Sequence, residues 1–266
     1  MTLDFNTDRP VVGMVHLDPL PGAPGFDGDR GAVREAMFRD ARRLEDGGVD
    51  GLLVENFGDA PFYAEDVPEH VVASMTALVR DLCRKVECPV GVNVLRNDTP
   101  AALSVAAAAG ASFVRVNVHT GARLTDQGVV TGAAAETVRL RDRLDADVSI
   151  LADVDVKHSA ALSKRPLAER VAELLKRGRA DGIVVSGTGT GRETDRDHLK
   201  RVVAARDELN SDAPVFVGSG VTSDTVTETL DLAGGVVVGT ALKEGGETTA
   251  PVDVKRVRAL VAATRD

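Results

Sequence analysis

The chain has 266 residues, 43% of them hydrophobic and 27% charged, with a formal net charge of −9. That balance suffices for a buried core and excludes wholesale disorder, and the acidic excess argues against nucleic acid as a partner, which needs basic surface. No apolar run approaches the about 20 residues of a membrane-spanning helix, and the first residues lack the basic-then-apolar pattern of a secretory signal, so no membrane insertion is expected and cytoplasm is the expected compartment.

Eight short β-branched runs alternate with longer helical stretches. The predicted order is strand 10–16, helix 31–46, strand 51–56, helix 69–86 and strand 89–95. Then come a helix opened by Thr99 as N-cap and Pro100 in its first turn, strand 112–119, helix 133–144 and strand 148–156. Helix 167–178, strand 182–187, helix 195–209, strand 214–220, helix 223–232, strand 235–240 and helix 251–263 complete the series. Gly47, Gly110, Gly178 and Gly234 stand where helices should stop. The near-continuous apolar strands fit parallel strands buried on both faces. Eight such units in one chain predict a single-domain α/β fold, a (β/α)8 TIM barrel. A doubly wound open sheet shares the alternation, but no G-x-G-x-x-G follows the first strand.

In such a barrel the carboxyl ends of the strands build the active site. Here those ends carry His16, Glu55, Asn56, Asn93, Arg96, Arg115, Asn117, His119, Asp153, Asp155, Lys157, His158 and Ser186. Asp153, Asp155 and Lys157 are spaced by two, which sets them on one side of a strand. Buried charges are costly unless paired, so they read as functional or as an ion-pair plug. Glu55, His119, Asp153, Asp155 and Lys157 are the expected catalytic groups. His16, Asn56, Asn93, Asn117, His158 and Ser186 are expected to orient substrate. Lys157 is either a proton-transfer group, a Schiff-base amine or the counter-ion of Asp155. Two nearby aspartates would favour its ammonium form, which ranks the proton-transfer role first. The cofactor is open, with a divalent metal on Glu55, His119 and Asp153 as one expectation.

After the last two strands come Gly218-Ser219-Gly220 and Gly239-Thr240. Glycine lets backbone amides approach an anion, so these turns are expected to bind phosphate. The run 186–195 after the sixth strand is glycine-rich but no Walker loop; its Arg192 either clamps an anion or faces solvent. Loops 17–29, 57–70 and 120–132 are long, and the second holds Phe57, Phe62 and Tyr63. Such loops serve as lids or subunit contacts. Cys83 and Cys88 form neither a metal cluster nor a disulfide framework.

Taken together, the segments GMVHLDPLPGAPGF (13–26), GLLVENFGDAPF (51–62), PVGVNVLRND (89–98), FVRVNVHTGA (113–122), LADVDVKHS (151–159), VGSGVT (217–222) and VVGTALK (237–243) resemble the BtpA/SgcQ family along essentially the whole chain. Asp18 stands where that pattern leads one to expect proline. The resemblance implies a phosphate-binding type of TIM barrel and brings no reaction with it. It includes a cyanobacterial protein linked to photosystem I biogenesis and a bacterial protein associated with a sugar-utilisation gene cluster. Three readings follow. The first is an enzyme acting on a small phosphorylated sugar or nucleoside-derived metabolite by isomerisation, epimerisation, lyase chemistry or glycosidic cleavage. The others are a non-catalytic assembly factor and a metabolite-binding regulator. A homo-oligomer is the expected state.

The charged residues are also skewed, with 25 Arg against 7 Lys and 27 Asp against 14 Glu. A halophile-like acidic surface and a GC-rich genome both give this bias. Salt adaptation predicts a thermal midpoint that climbs between low-salt buffer and molar KCl, because screening removes self-repulsion; a midpoint that stays level in a melting series assigns the bias to the genome.

Overall fold

A computed structural model describes residues 3–187, 189 and 193–265. Thr188, Thr190, Gly191 and Arg192 lie outside the described residues, and with them the Arg192 clamp. Eight parallel strands close into a barrel in chain order: β1 (Val11–His16), β2 (Gly51–Glu55), β3 (Val90–Asn93), β4 (Phe113–Val116), β5 (Ser149–Asp155), β6 (Gly182–Val185), β7 (Val215–Val217) and β8 (Gly235–Val238). β8 pairs back onto β1 through Val11↔Val236. The helices α1 (Arg30–Gly47), α2 (Glu69–Cys83), α3 (Thr99–Ala109), α4 (Ala134–Arg143), α5 (Leu167–Ala172), α6 (Arg196–Asp207), α7 (Val226–Leu230) and α8 (Val254–Ala263) fill the crossovers. No helix among the described residues is long and apolar enough to cross a membrane.

Strand residues alternate between two cores. Outward valines, leucines and isoleucines such as Val15, Leu52, Val92 and Ile150 pack under the helices. Inward residues form a separate cluster of Phe5, Val12, Met14, Leu53, Phe113, Leu151, Val184, Phe216 and Val237. This cluster plugs one end of the barrel, with Phe5 meeting Phe113 and Phe216 edge to face at 5.7 and 6.0 Å. Rings of that size fit only because inward neighbours lack a side chain. A Cβ at Gly91 would clash with the Phe113 ring, and one at Gly235 would come 2.5 Å from Phe216.

Several element ends differ from the sequence reading by a residue or more. The N-cap of α3 is Asp98, not Thr99, because the Asp98 carboxylate accepts the Ala101 amide and, through its other oxygen, the Val67 amide. α1 ends on Gly48 in the left-handed region rather than on Gly47. α5 gives way to a π-helical turn, Glu173–Arg177, before Gly178. The long 120–132 segment is a β-hairpin, Ala122–Thr125 against Gly128–Thr131, joined by Ala160–Ala161. Gly128 takes φ 102° at its turn, and Val130 packs inward with Val118 and Val156.

Gly91→Ala should destabilise the barrel by about 1–3 kcal/mol, the usual result of overpacking a filled core. Urea denaturation of the purified variant checks this, and an unchanged midpoint would mean that the Phe113 ring moves aside freely.

Candidate active site

At the other end of the barrel the inward positions turn polar. Arg115 on β4 lies flat against Asp153 on β5: Nε donates to Oδ1 and Nη2 to Oδ2, both at 3.0 Å. Nη2 also donates to Ser186 Oγ at 3.1 Å. Asn117 adds a 3.3 Å bond to Asp153, and Asn93 donates to Asn117 Oδ1 and to the Arg115 carbonyl. Both partners of the ion pair are essentially dry, at 2% and 0% side-chain exposure. Burial alone would drive the guanidinium toward its neutral form, but the Asp153 carboxylate more than reverses that and Arg115 stays charged. Asn93 Oδ1 is buried with no hydrogen-bond partner among the described residues.

Above this layer opens a cavity of about 620 Å3 lined by His16, Arg115, Lys157, Arg256 and the turns after β7 and β8. Its walls include Gly218, Ser219, Gly220, Gly239 and Thr240. Gly220 has φ 73°, a left-handed geometry suited to glycine. The amides of Gly220, Val221 and Ala241 donate to no protein acceptor among the described residues. Ser219 Oγ accepts the Gly187 amide at 2.7 Å, so this hydroxyl ties the turn after β6 to the turn after β7. Thr240 shares a 2.8 Å hydroxyl contact with Thr248.

His16 Nε2 stands 3.9 Å from Glu55 Oε1, Nδ1 is 3.3 Å from the Thr248 carbonyl, and the ring rests on Phe57. Burial, reinforced by the charges of Lys243, Lys157 and Arg115, lowers its pKa to about 3. The ring is neutral at pH 7. Lys157 is half-buried, and burial also lowers its pKa, with Arg115 and Arg96 pushing the same way and Glu55 and Asp153 opposing. Arg96 Nη2 donates to the Lys157 carbonyl at 2.9 Å.

The structure therefore brings His16, Lys157, Gly218, Ser219, Gly220, Gly239 and Thr240 to one cavity, with Glu55, Asn93, Asn117, Asp153 and Ser186 around its base. It does not bring four others there. Asp155 is turned away because the β5–β6 register shifts between Asp153 and Asp155. The extra residue flips the alternation, and Asp155 instead meets Arg123, Arg170 and His198. His119 also leaves the site: past the end of β4 its Nε2 lies 2.8 Å from the Gly178 carbonyl. Asn56 is a structural post, bonding Asp59 and the Leu95 amide. His158 is exposed, with φ 56°. The metal candidates Glu55, His119 and Asp153 consequently do not converge, and among the described residues no three acidic, histidine or cysteine side chains are grouped to hold a metal ion. Loops 17–29 and 57–70 are stitched together rather than free, since Asp59 accepts the Leu20 amide at 2.8 Å. The sequence reading sets Arg115 and Arg96 at the strand tips without a role, and it misses Arg256 as a site cation. Counting by two along the fourth strand finds Arg115 but not its pairing with Asp153; nothing in the sequence marks Arg256, which reaches the cavity from α8.

The BtpA family model matches residues 7–266. The "Photosystem I biogenesis protein BtpA" of Synechocystis sp. is 44% identical, over 97% of this chain and 89% of that protein. An uncharacterised protein of Pyrococcus furiosus is 41% identical, over 97% and 95%. The "Putative sgc region protein SgcQ" of Escherichia coli is 33% identical, over 95% and 93%. Among solved structures, N-(5'-phosphoribosyl)anthranilate isomerase of Pyrococcus furiosus superposes with TM-score 0.59 at 14% identity, covering 97% of this chain and 98% of that one. KGPDC of Streptococcus mutans superposes equally, with TM-score 0.59 at 12% identity over 97% and 98%. Likeness at that level establishes the barrel fold alone.

The depressed His16 pKa has a consequence for acid stability. Unfolded, this ring titrates near 6.5; folded, near 3. The unfolded chain thus binds the extra proton first, and stability present above pH 6.5 is lost as pH falls toward 3, by at most about 1.4 kcal/mol per pH unit. His16→Gln should flatten the fall in urea midpoint between about pH 6 and pH 4. A variant that tracks the parent across that range would show that the ring protonates without cost.

Proposed function

The chain belongs to the BtpA family, and we propose that it is an enzyme acting on a small phosphorylated sugar or nucleoside-derived metabolite. One observation carries this reading: the turns after β7 and β8 open on the same cavity as Arg115, Lys157 and His16. Unclaimed amides at Gly220, Val221 and Ala241 suit the oxygens of a phosphate ester, and Arg256 adds charge from α8. Glu55 and Lys157 lie toward the barrel axis and handle protons on the rest of the substrate. His16, neutral, serves as a hydrogen-bond partner rather than a cation. The reaction class is isomerisation, epimerisation, lyase chemistry or glycosidic cleavage, all of which move protons at carbon or oxygen next to a carbonyl or acetal.

Asp153 enters this scheme as a positioning residue. It holds the Arg115 guanidinium at the base of the cavity and has no exposed surface of its own. Replacing it would strand a buried cation and cost about 3–5 kcal/mol, so loss of function in Asp153→Asn would not separate catalysis from folding. Lys157, which carries no such pair, separates them.

A second reading is a non-catalytic assembly factor, favoured by the name of the Synechocystis relative. Under it Lys157→Ala keeps full cellular function. We take the setting to be cytoplasmic and the molecule to be a homo-oligomer, for which the exposed Leu124, Val129 and Leu162 beside the barrel mouth offer an apolar face.

The direct check is a thermal-shift series with ribose 5-phosphate, inorganic phosphate and unmodified ribose. The phosphorylated probes should raise the melting temperature, ribose should not, and Arg256→Ala should weaken phosphate binding about tenfold, the value of one charged hydrogen bond. Equal shifts from ribose and its phosphate, or no shift with either phosphate, would refute the assignment of the two turns.

A further inference from the structure

Lys157 stands apart from the other six lysines of the chain. Lys85, Lys164, Lys176, Lys200 and Lys255 are exposed, and Lys243 is buried but bonded to Asp40 at 2.7 Å. Lys157 lies half-buried in the cavity wall, two residues beyond β5. Among the described residues no carboxylate forms an ion pair with its amine.

The reason is geometric. Of the three carboxylates near it in sequence or space, Asp155 faces away after the β-bulge and is occupied by Arg123 at 2.5 Å and Arg170 at 2.6 Å. Asp153 gives both oxygens to Arg115. Glu55 remains, at the same end of the barrel, next to His16. On the other side stand two guanidiniums that never deprotonate, Arg115 and Arg96, and the neutral His16 ring. An amine in such a place holds its proton weakly: burial and both arginines press toward the free base, with Glu55 and Asp153 the opposing charges. In the folded protein the two aspartates are thus engaged elsewhere and do not pair with Lys157, which puts the imine ahead of proton transfer among its roles.

We propose that Lys157 Nζ is the nucleophile of the site and forms an imine with the carbonyl carbon of a phosphorylated aldehyde or ketone seated in the 620 Å3 cavity. This rests on the phosphate cradle proposed above. The Nζ lone pair forms the C–N bond while the C=O π pair moves to oxygen, which takes a proton from nitrogen to give a carbinolamine. The C–O bond then breaks, the hydroxyl leaves with one proton as water, and the nitrogen pair closes the C=N bond. One solvent proton balances the protonated iminium, and Glu55 is the carboxylate placed to relay it. No electrons change hands. The iminium withdraws electrons from the neighbouring carbon, which serves the isomerase and lyase classes and not glycosidic cleavage.

The test uses dihydroxyacetone phosphate with sodium cyanoborohydride on the intact chain. Hydride adds to the imine carbon and leaves a stable secondary amine, read by intact mass and then by peptide mapping across all seven lysines. Labelling at Lys157 should exceed that at each exposed lysine by about tenfold or more, because an amine in the cavity wall meets the seated carbonyl at an effective concentration that surface lysines lack. Lys157→Arg, folded by circular dichroism, should lose this label while keeping the thermal shift with inorganic phosphate. Labelling spread evenly over the surface lysines, or absent from Lys157 while phosphate still shifts the melt, overturns the imine and leaves the cradle standing. Selective labelling of Lys157 by unphosphorylated dihydroxyacetone to the same extent, undiminished by inorganic phosphate, upholds the imine and removes the cradle.

Discussion

The Arg115–Asp153 pair fixes the boundary between the barrel's dry half and its chemical half. Below it the inward positions hold aromatic rings and aliphatic side chains; above it they line a cavity. Two desolvated charges are tolerated at that level only because every oxygen of Asp153 and most donors of Arg115 are engaged. The network reaches β3 through Asn93, β4 through Arg115 and Asn117, β5 through Asp153 and the end of β6 through Ser186. It clamps half of the barrel mouth before any ligand arrives. The other half, β7, β8, β1 and β2, offers glycines, a neutral histidine and Glu55 instead. That asymmetry leaves room for a ligand on one side of a rigid polar wall.

How much of this was legible follows from one rule and its exceptions. In a closed parallel barrel, residues spaced by two share a side. The rule places His16, Glu55, Asn93, Asp153 and the glycines after β7 and β8 at one end, because those strands keep their register. It fails for Asp155, where a bulge adds a residue that no composition signal announces. It fails for His119, because β4 ends at Val116 and the chain beyond it turns to form the hairpin. Asn56 sits one residue past β2 and turns its amide toward Asp59 and the next loop. Alternation holds only as far as the ladder hydrogen bonds hold, and site residues sit where ladders end. The hairpin was readable in principle from its Thr-Asp-Gln-Gly turn and alternating valines, yet a barrel reading invites no extra strands there.

Charge tells a different story inside and outside. The whole chain carries −9, yet Arg115 and Arg256 line the cavity and Arg96 stands behind Lys157, bonded to its carbonyl, with Asp153 already neutralised by Arg115. Beyond the Debye length of about 8–10 Å the surface repulsion of an anion is screened. Within the cavity, low-dielectric walls keep the cations effective. On the proposed reading, an acidic molecule with a cationic chamber discriminates by proximity, repelling polyanions at a distance and holding a small anion that fits.

The state of Lys157 bears on whether a barrel of this family is an enzyme or an inherited scaffold. A half-buried amine without a carboxylate partner, held beside two arginines, destabilises the fold, and a methionine or glutamine in its place would relieve that. Nothing in the packing requires it: Lys157 makes no ion pair among the described residues and anchors no neighbouring element except through its backbone carbonyl. Lys243 shows the contrast, fully buried but paired with Asp40 and thereby joining α1 to the segment after β8. One lysine is explained by the architecture. On the proposed reading the other is explained by what its amine does in the cavity, whereas a scaffold that merely held partners together would gain stability by losing it.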